Sequence, residues 1–173
     1  NSKGTEIMLE IASRDKAVFL LASTSEIYGD PLEHPQRESY WGNVNSFGSR
    51  SCYDESKRFA EALTYLYITH KKLDARIVRT FNVYGPRMQM NDGRAVPTFI
   101  NQALNNEPMT VFGDGSQTRS LCYIDDYIDG VIKLLESDTK LPVNIGNPNE
   151  ISMITLAKVI KYLCGSKSDI LNR

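Results

Sequence analysis

Short apolar runs alternate with stretches of helical periodicity along this chain of 173 residues. The run "AVFLLAS" at 17–23 is continuous, apolar and of strand length, which is typical of a buried parallel strand. A loop rich in Gly, Pro, Asn and Ser follows, and apolar side chains then recur at helical spacing from Ser51 to about Lys72. The β-branched run "ARIVRTF" predicts a second strand that ends at "NVYGP". A strand, a helix and a strand in this order predict a parallel α/β sheet.

The elements become shorter after "YGPR", which indicates a second and smaller α/β lobe. The pattern predicts three helices at "VPTFINQALNN", "DDYIDGVIKLLES" and "MITLAKVIKYL", and three strands at "MTVFG", "SLCYI" and "VNIG". We therefore expect residues 1–86 to form the main sheet domain. Residues 87–173 are expected to form a lobe interwoven with it, and about 121–146 to return to the main sheet.

Composition and charge exclude several classes of function. With 41% apolar residues the chain can bury the core of one ordinary domain. Twenty basic and twenty-one acidic side chains give a net charge of −1, and no long run of one sign indicates a nucleic-acid or membrane-surface partner. No apolar run approaches the roughly 20 residues of a membrane span. The three cysteines lie far apart without metal-ligand spacing, so we expect no metal site and a reducing, cytoplasmic location.

Candidate chemistry lies where ligands bind in open α/β sheets, beyond the carboxyl ends of the strands. Two polar clusters fall there, at 23–26 ("STSE") and at 82–87 ("NVYGPR"). Between them, Ser51 and Asp54 have the spacing of a helix-capping pair. Tyr53 and Lys57, four residues apart, are expected to project from one face of the first helical turns. An ammonium beside a phenol stabilises the phenolate, which makes Tyr53 a candidate general base.

A second pair with the same spacing serves as an internal control. Tyr67 and Lys71 repeat the Tyr-x-x-x-Lys pattern at the far end of the same predicted helix. They lie far along the chain from both strand-end clusters. We therefore expect a structural role for this pair, and spacing alone does not identify a catalytic tyrosine.

Longer strings carry a family resemblance over nearly the whole chain. "LLASTSEIYGDP", "CYDESKRFAEA", "RTFNVYGPR" and "VFGDGSQTRSLCYIDD" occur in the order seen in extended short-chain dehydrogenases that act on nucleotide sugars. Within that group, "ESYWGNVN", "RSCYDE" and "MNDGR" most resemble the UDP-glucuronate decarboxylases, which make UDP-xylose. The resemblance implies a Rossmann-like parallel sheet that lacks its N-terminal strands, a C-terminal substrate lobe, NAD as the cofactor and a UDP-sugar as the substrate.

The resemblance also implies roles for the first polar cluster and the tyrosine–lysine pair. Tyr53 would remove the proton of the sugar 4-hydroxyl, with Lys57 and Thr24 supporting it. A 4-ketone β to the C5 carboxylate then loses carbon dioxide readily. Ser25 and Glu26 would serve the C5 side. Related dTDP-glucose 4,6-dehydratases carry Asp at the position of Ser25, because a serine is too weak an acid to protonate a leaving 6-hydroxyl.

Other residues are assigned by the same resemblance. Those assigned to the cofactor are Ser23, Tyr53, Lys57, Val83 and Arg87. Those assigned to the UDP part of the substrate are Asn82, Arg94, Val96, Phe112, Gln117 and Arg119. A planar guanidinium suits a diphosphate, although Arg119 also reads as a surface charge and Phe112 as a core residue.

Departures from the family pattern leave other functions open. No Gly-x-x-Gly-x-x-Gly loop precedes Ala17, and no Arg-x-Pro-Asp segment follows "GSKSDILNR". We therefore expect the chain to be part of a larger protein and to be inactive alone. A nucleotide-sugar 4,6-dehydratase of the dTDP-glucose or GDP-mannose type, a 4-epimerase, and a non-catalytic binding or dimerisation fragment remain alternatives.

An assembly is predicted from apolar helix surface. Ile7, Met8, Ile11 and Ala12 lie on one side of an N-terminal helical pattern, and the helix at 51–72 carries more apolar residues than one buried face needs. In the resembled family these two helices pair with their copies. We expect a homodimer through helices at about 6–12 and 51–72.

Overall fold

A computed structural model describes residues 1–173 of the chain. It contains five helices and eight strands. The helices are α1 Ser2–Asp15, α2 Ser51–Lys71, α3 Ala95–Leu104, α4 Ile124–Glu136 and α5 Met153–Leu163. The strands are β1 Phe19–Thr24, β2 Ala75–Thr80, β3 Asn82–Tyr84, β4 Met109–Val111, β5 Thr118–Tyr123, β6 Val143–Ile145, β7 Glu150–Ser152 and β8 Ile170–Asn172. None of the helices is long and apolar enough to cross a membrane.

The first of two compact units contains residues 1–81 and 127–145 and confirms the predicted parallel sheet. Its strands lie in the order β1-β2-β6, and both pairs are parallel. In this register Thr24 and Thr80 are partners at the carboxyl ends of β1 and β2. The polar cluster that follows β1 therefore begins at one edge of a parallel sheet, the edge at which such folds bind ligands.

Helices α1 and α2 are held on this unit by apolar side chains at the start of the strands. Leu9 and Ala12 of α1 pack with Leu73 and Ala75 in one buried cluster. A second cluster joins Ala60 of α2 to the sheet through Leu21 and Ile77. Burying apolar surface in this way is the main contribution that fixes an amphipathic helix on a sheet. This packing fixes α2 on β1 and β2.

The helix α2 starts where it was predicted, but the predicted cap was wrong. Arg50 is the N-cap residue and has helical dihedral angles, φ −96° and ψ −15°. The Ser51 hydroxyl donates to the Gly48 carbonyl oxygen at 2.7 Å, so it acts as a donor to the preceding loop. A capping box needs that hydroxyl as an acceptor for a backbone N–H. The first turn is instead stabilised by backbone bonds to the Arg50 carbonyl from Tyr53 and Asp54.

The second compact unit contains residues 82–126 and 146–173. One sheet has the order β3-β5-β7, with β5 and β7 antiparallel, and β4 pairs with β8 in parallel. Its core lies between α3 and α5, and its buried members include Phe99, Met109, Val111, Ala157 and Ile160. The sequence placed the domain boundary at residue 86 and the return to the main sheet at about 121–146. The compact units change at residues 81/82, 126/127 and 145/146.

Candidate active site

The candidate site of the first unit begins where β1 ends. Thr24 has extended backbone angles, φ −153° and ψ 155°, and its side-chain oxygen accepts a hydrogen bond from the Glu26 N–H at 3.3 Å. This bond caps a single 3₁₀ turn, Ser25–Tyr28. Thr24 is buried, whereas Ser25 and Glu26 are partly exposed. The turn therefore presents Ser25 and Glu26 to solvent at the sheet edge.

The Tyr53 and Lys57 pair lies beside this strand end, as its helical spacing indicated. Tyr53 is 41% exposed, so its phenol is accessible. The Lys57 ammonium lies 5.9 Å from the centre of the Tyr53 ring and donates to the Ala22 carbonyl oxygen at 2.8 Å. Because an ammonium has three N–H donors, Lys57 retains donors for a ligand while it ties α2 to β1. This donor set fits the hydroxyls of a ribose beside Tyr53.

Arg50 is a site residue that the sequence motifs did not identify. Its Nη2 atom lies 2.5 Å from Glu26 Oε2, and its guanidinium carbon lies 5.6 Å from the centre of the Tyr53 ring. The hydrogen bond and the charge of Glu26 raise the pKa of Arg50. Its place three residues before Tyr53 in "RSCY" is the only sequence signal that could have found it. Glu26 and Tyr53 are therefore both in contact with one guanidinium.

Asp54 is buried next to this group. It is 6% exposed, and its Oδ1 atom has no hydrogen-bond partner. Burial raises the pKa of Asp54, and the charge of Glu26 raises it further, whereas Arg50 opposes the shift from 4.0 Å. Glu26, Arg50 and Asp54 line a cleft of about 490 Å³ together with residues of the loop before α2.

A buried polar network lies beneath the strand ends and was not predicted. The Glu61 carboxylate accepts hydrogen bonds from Arg79 Nη2 at 2.8 Å and Nε at 3.1 Å, and from the Ser23 hydroxyl at 2.5 Å. Arg79 also donates to the Tyr28 hydroxyl at 2.8 Å, and that hydroxyl donates to Asn144 Oδ1 at 2.8 Å. The network joins β1, β2, β6 and α2. Ser23 is 4% exposed and its hydroxyl is used by Glu61.

The pKa values in this network are set by opposing effects. Burial alone would lower the pKa of Arg79, but hydrogen bonding to Glu61 and the Glu61 charge more than offset it, so the pKa is raised. Burial raises the pKa of Tyr28, and Arg79 opposes that rise. Arg79 therefore stays charged and Tyr28 stays neutral at physiological pH.

The control pair lies elsewhere on α2. Tyr67 packs against the cluster of Leu9, Ala12, Leu73 and Ala75. This cluster lies at the start of the strands and not at their carboxyl ends. Loss of solvation, followed by the charges of Glu10 and Glu6, raises the pKa of Tyr67. A raised pKa disfavours the phenolate, so this tyrosine is unsuited to act as a base.

In the second unit, the predicted residues Asn82, Val83 and Arg87 lie on β3 or just after it. Asn82 is exposed and pairs in register with Leu121, whereas Val83 is half-buried and pairs with Cys122. Arg87 is exposed and has a positive φ of 67°, which is uncommon for a residue other than glycine. Asn82 and Arg87 are therefore available to a ligand through their side chains.

The remaining predicted residues lie on α3 and around β4 and β5. Arg94 is the N-cap residue of α3 and its Nε atom pairs with Asp92 at 2.8 Å, while Val96 packs against the core beneath. Phe112 is 71% exposed, which rules out the core alternative. The Gln117 side chain donates to the Phe112 carbonyl oxygen at 2.8 Å, so the structure brings these two residues together.

Arg119 is exposed at the start of β5. Its Nη1 atom donates to the Thr118 carbonyl oxygen at 2.7 Å, and the guanidinium makes no ion pair. A guanidinium has five N–H donors, so most of the donor capacity of Arg119 remains available to an anion.

Comparisons with known proteins show the family of the chain. Residues 1–146 match the model of the NAD dependent epimerase/dehydratase family. UDP-glucuronic acid decarboxylase 1 of Arabidopsis thaliana is 55% identical over 98% of this chain and 39% of the relative's length. UDP-glucuronic acid decarboxylase 1 of Xenopus tropicalis is 51% identical over 98% of this chain and 40% of its own length. The chain thus spans about two fifths of these relatives.

A solved structure extends the comparison to three dimensions. UDP-glucuronic acid 4-epimerase from Bacillus cereus, determined in complex with UDP-glucuronic acid and NAD, matches with a TM-score of 0.85 and 29% identity. The match covers 99% of this chain and 53% of that protein.

Proposed function

Because the chain belongs to the NAD dependent epimerase/dehydratase family, we propose that the protein containing it converts UDP-glucuronate to UDP-xylose, with NAD as a cofactor regenerated in each turnover. The observation that carries the proposal is sequence identity: the chain is 55% identical to a UDP-glucuronic acid decarboxylase from a plant and 51% identical to one from a vertebrate.

Tyr53 is the proposed general base. As the phenolate, its exposed side chain can take the proton of the sugar 4-hydroxyl and become the phenol, and the Lys57 ammonium lies 5.9 Å from the ring centre, where its charge favours the phenolate. When bound, NAD supplies the hydride acceptor for C4 and later the hydride donor. Lys57 would hold the cofactor's ribose with its remaining donors. Thr24, at the end of β1, would support Tyr53 and the sugar oxygen at C4.

The C5 side of the sugar is assigned to Ser25 and Glu26. Carbon dioxide leaves the β-keto acid, and the electrons of the broken bond pass into the ketone as an enolate. A proton must then be delivered to C5. Ser25 and Glu26 are partly exposed at the sheet edge, where they can order the sugar and a water molecule for this step.

Other assignments complete the proposal. Val83, Arg87 and Ser23 are assigned to the cofactor. The Ser23 hydroxyl donates to Glu61, so Ser23 is assigned by its position at the end of β1 and not by its hydroxyl. The residues proposed to bind the UDP part of the substrate are Asn82, Arg94, Val96, Phe112, Gln117 and Arg119. An exposed Arg119 without an ion pair suits a diphosphate. We assign cofactor binding to residues 1–86 and UDP recognition to the lobe at 87–173.

We also propose a homodimer and a cytoplasmic location. Apolar side chains on α1 and α2 remain exposed: Ile7, Met8, Ile11, Phe59, Tyr65 and Leu66. Such a surface fits pairing with a second copy. A monomer of the full-length protein in light scattering at micromolar concentration would contradict the dimer. The three cysteines are free thiols, which suits a reducing compartment. Cell fractionation tests the proposed cytoplasmic location.

A substrate panel tests the activity. The full-length protein is incubated with NAD and, separately, UDP-glucuronate, UDP-glucose, dTDP-glucose and GDP-mannose. We expect turnover of UDP-glucuronate alone, without net formation of NADH. Dehydration of a neutral hexose, or epimerisation of UDP-glucuronate without loss of carbon dioxide, would replace the proposal with one of the alternatives.

A further inference from the structure

Arg50 has a fixed backbone and a side chain that reaches across the candidate site. As the N-cap residue of α2, it accepts backbone hydrogen bonds from Tyr53 at 3.0 Å and Asp54 at 3.1 Å. Its guanidinium meets Glu26 Oε2 at 2.5 Å and lies over the Tyr53 ring. One residue therefore connects the turn after β1 to the first turn of α2.

The charges around Arg50 explain why a cation is needed there. Glu26 lies on one side of the guanidinium, and the buried Oδ1 of Asp54, which has no hydrogen-bond partner, lies 4.0 Å away on α2. The charge of Glu26 acts unfavourably on Asp54. Without Arg50, two carboxylates would repel each other across the cleft, and Glu26 would turn towards solvent.

The pair of Arg50 and Glu26 is poorly suited to a purely structural role. The two side chains are 63% and 45% exposed, and exposed ion pairs contribute little to folding stability. A charge-assisted bond from a planar guanidinium nevertheless fixes the direction of a carboxylate. The contact therefore affects where Glu26 points more than whether the protein folds.

We propose that Arg50 is a positioning residue, which holds the Glu26 carboxylate at the C5 side of the sugar. The inference rests on the proposed function, since it gives Glu26 and Tyr53 their roles. Arg50 acts through Glu26, so its effect requires that carboxylate. Misplacing a reacting group by about 1 Å costs on the order of 100-fold in rate, which sets the scale of the effect.

A double-mutant cycle on the full-length protein tests this. Wild type, Arg50→Met, Glu26→Gln and the double variant are compared by kcat and KM with UDP-glucuronate and NAD. We expect Arg50→Met to lower kcat about 10- to 100-fold with KM changed less than about threefold, and the double variant to be no slower than Glu26→Gln. Arg50→Lys, which keeps the positive charge but not the planar guanidinium, should recover part of the rate. Arg14→Met is the matched control, because Arg14 pairs with Asp15 at 2.7 Å on an exposed surface outside the site.

The outcomes separate this inference from the proposed function. An Arg50→Met rate within twofold of wild type, or losses that multiply in the double variant, would overturn the inference while the proposed function stands. If the wild type acts only on another nucleotide sugar, the proposed function fails, and the cycle is run with that sugar. A crystal structure of Arg50→Met gives a readout without turnover. Glu26 is expected to leave the position that it has in the wild type, and an unmoved Glu26 would refute the positioning role.

Discussion

The buried network under the strand ends predicts a large loss of stability from a small chemical change. Glu61→Gln keeps the size of the side chain but removes the charge that faces Arg79. The Glu61 and Arg79 side chains are 12% and 9% exposed, so water compensates little for the lost charge. Removing one partner of a buried ion pair typically costs about 3–5 kcal/mol, because the other charge stays buried and unpaired.

The structure places the expected value near the lower end of that range. Arg79 keeps its hydrogen bonds to the Tyr28 hydroxyl and to the Glu38 carbonyl oxygen. The Ser23 hydroxyl can still donate to the glutamine oxygen. We therefore expect the free energy of unfolding to fall by about 3 kcal/mol. At a urea slope of about 1–3 kcal/mol/M, the midpoint falls by roughly 1–3 M.

Urea unfolding of the full-length protein, followed by circular dichroism, measures this loss. Lys133→Gln is the control, because it breaks an exposed pair with Asp129 whose side chains are 73% and 63% exposed. That change should cost no more than about 0.5 kcal/mol. Replacing both buried partners, as Glu61→Leu with Arg79→Met, should recover part of the loss. If Glu61→Gln lowers the free energy of unfolding by less than about 1 kcal/mol, the conclusion that Arg79 depends on a buried charge partner is wrong.

Two further predictions concern the proposed general base and the buried carboxylate. In the full-length protein, Tyr53→Phe should lower activity at least about 100-fold with the fold intact, whereas Tyr67→Phe, in a pair of identical spacing, should change it less than about threefold. Equal losses in two folded variants would show that the wrong pair was assigned. The pKa of Asp54 is raised in the folded protein, so its ionisation destabilises the fold as pH rises above the unfolded value of about 3.9. Asp54→Asn should therefore raise the urea midpoint at pH 7, and the gain should vanish as pH falls towards 4; a pH-independent difference would contradict the assignment.

The sequence predicted the elements that are long or strongly patterned. The strands at 17–23 and 75–81 and the helix at 51–72 were placed to within about two residues, because their apolar periods are unambiguous. The strands β4 and β6 have three residues each and were predicted, but β3, β7 and β8, of the same length, were missed. They form only through pairing with distant partners, as β3 does with β5.

Side-chain partners were harder to predict than elements. Four-residue spacing predicts that Tyr53 and Lys57 share one face of a helix. Arg50 and Glu26 are 24 residues apart, and Ser23 and Glu61 are 38 apart, so no local pattern relates them. The cap assigned to Ser51 failed because the preceding loop offers its hydroxyl an acceptor at Gly48. Ile7, Met8, Ile11 and Ala12 were predicted to share one apolar side, but of these only Ala12 is buried, together with Leu9.

The fate of the substrate carboxylate tests the central claim most directly. The full-length protein is incubated in deuterated water with NAD and UDP-glucuronate whose carboxylate carries an isotopic label, and the products are followed by NMR. We predict labelled carbon dioxide, UDP-xylose in equal amount with solvent deuterium at C5, and no net NADH. A product that keeps the labelled carboxylate would contradict this prediction.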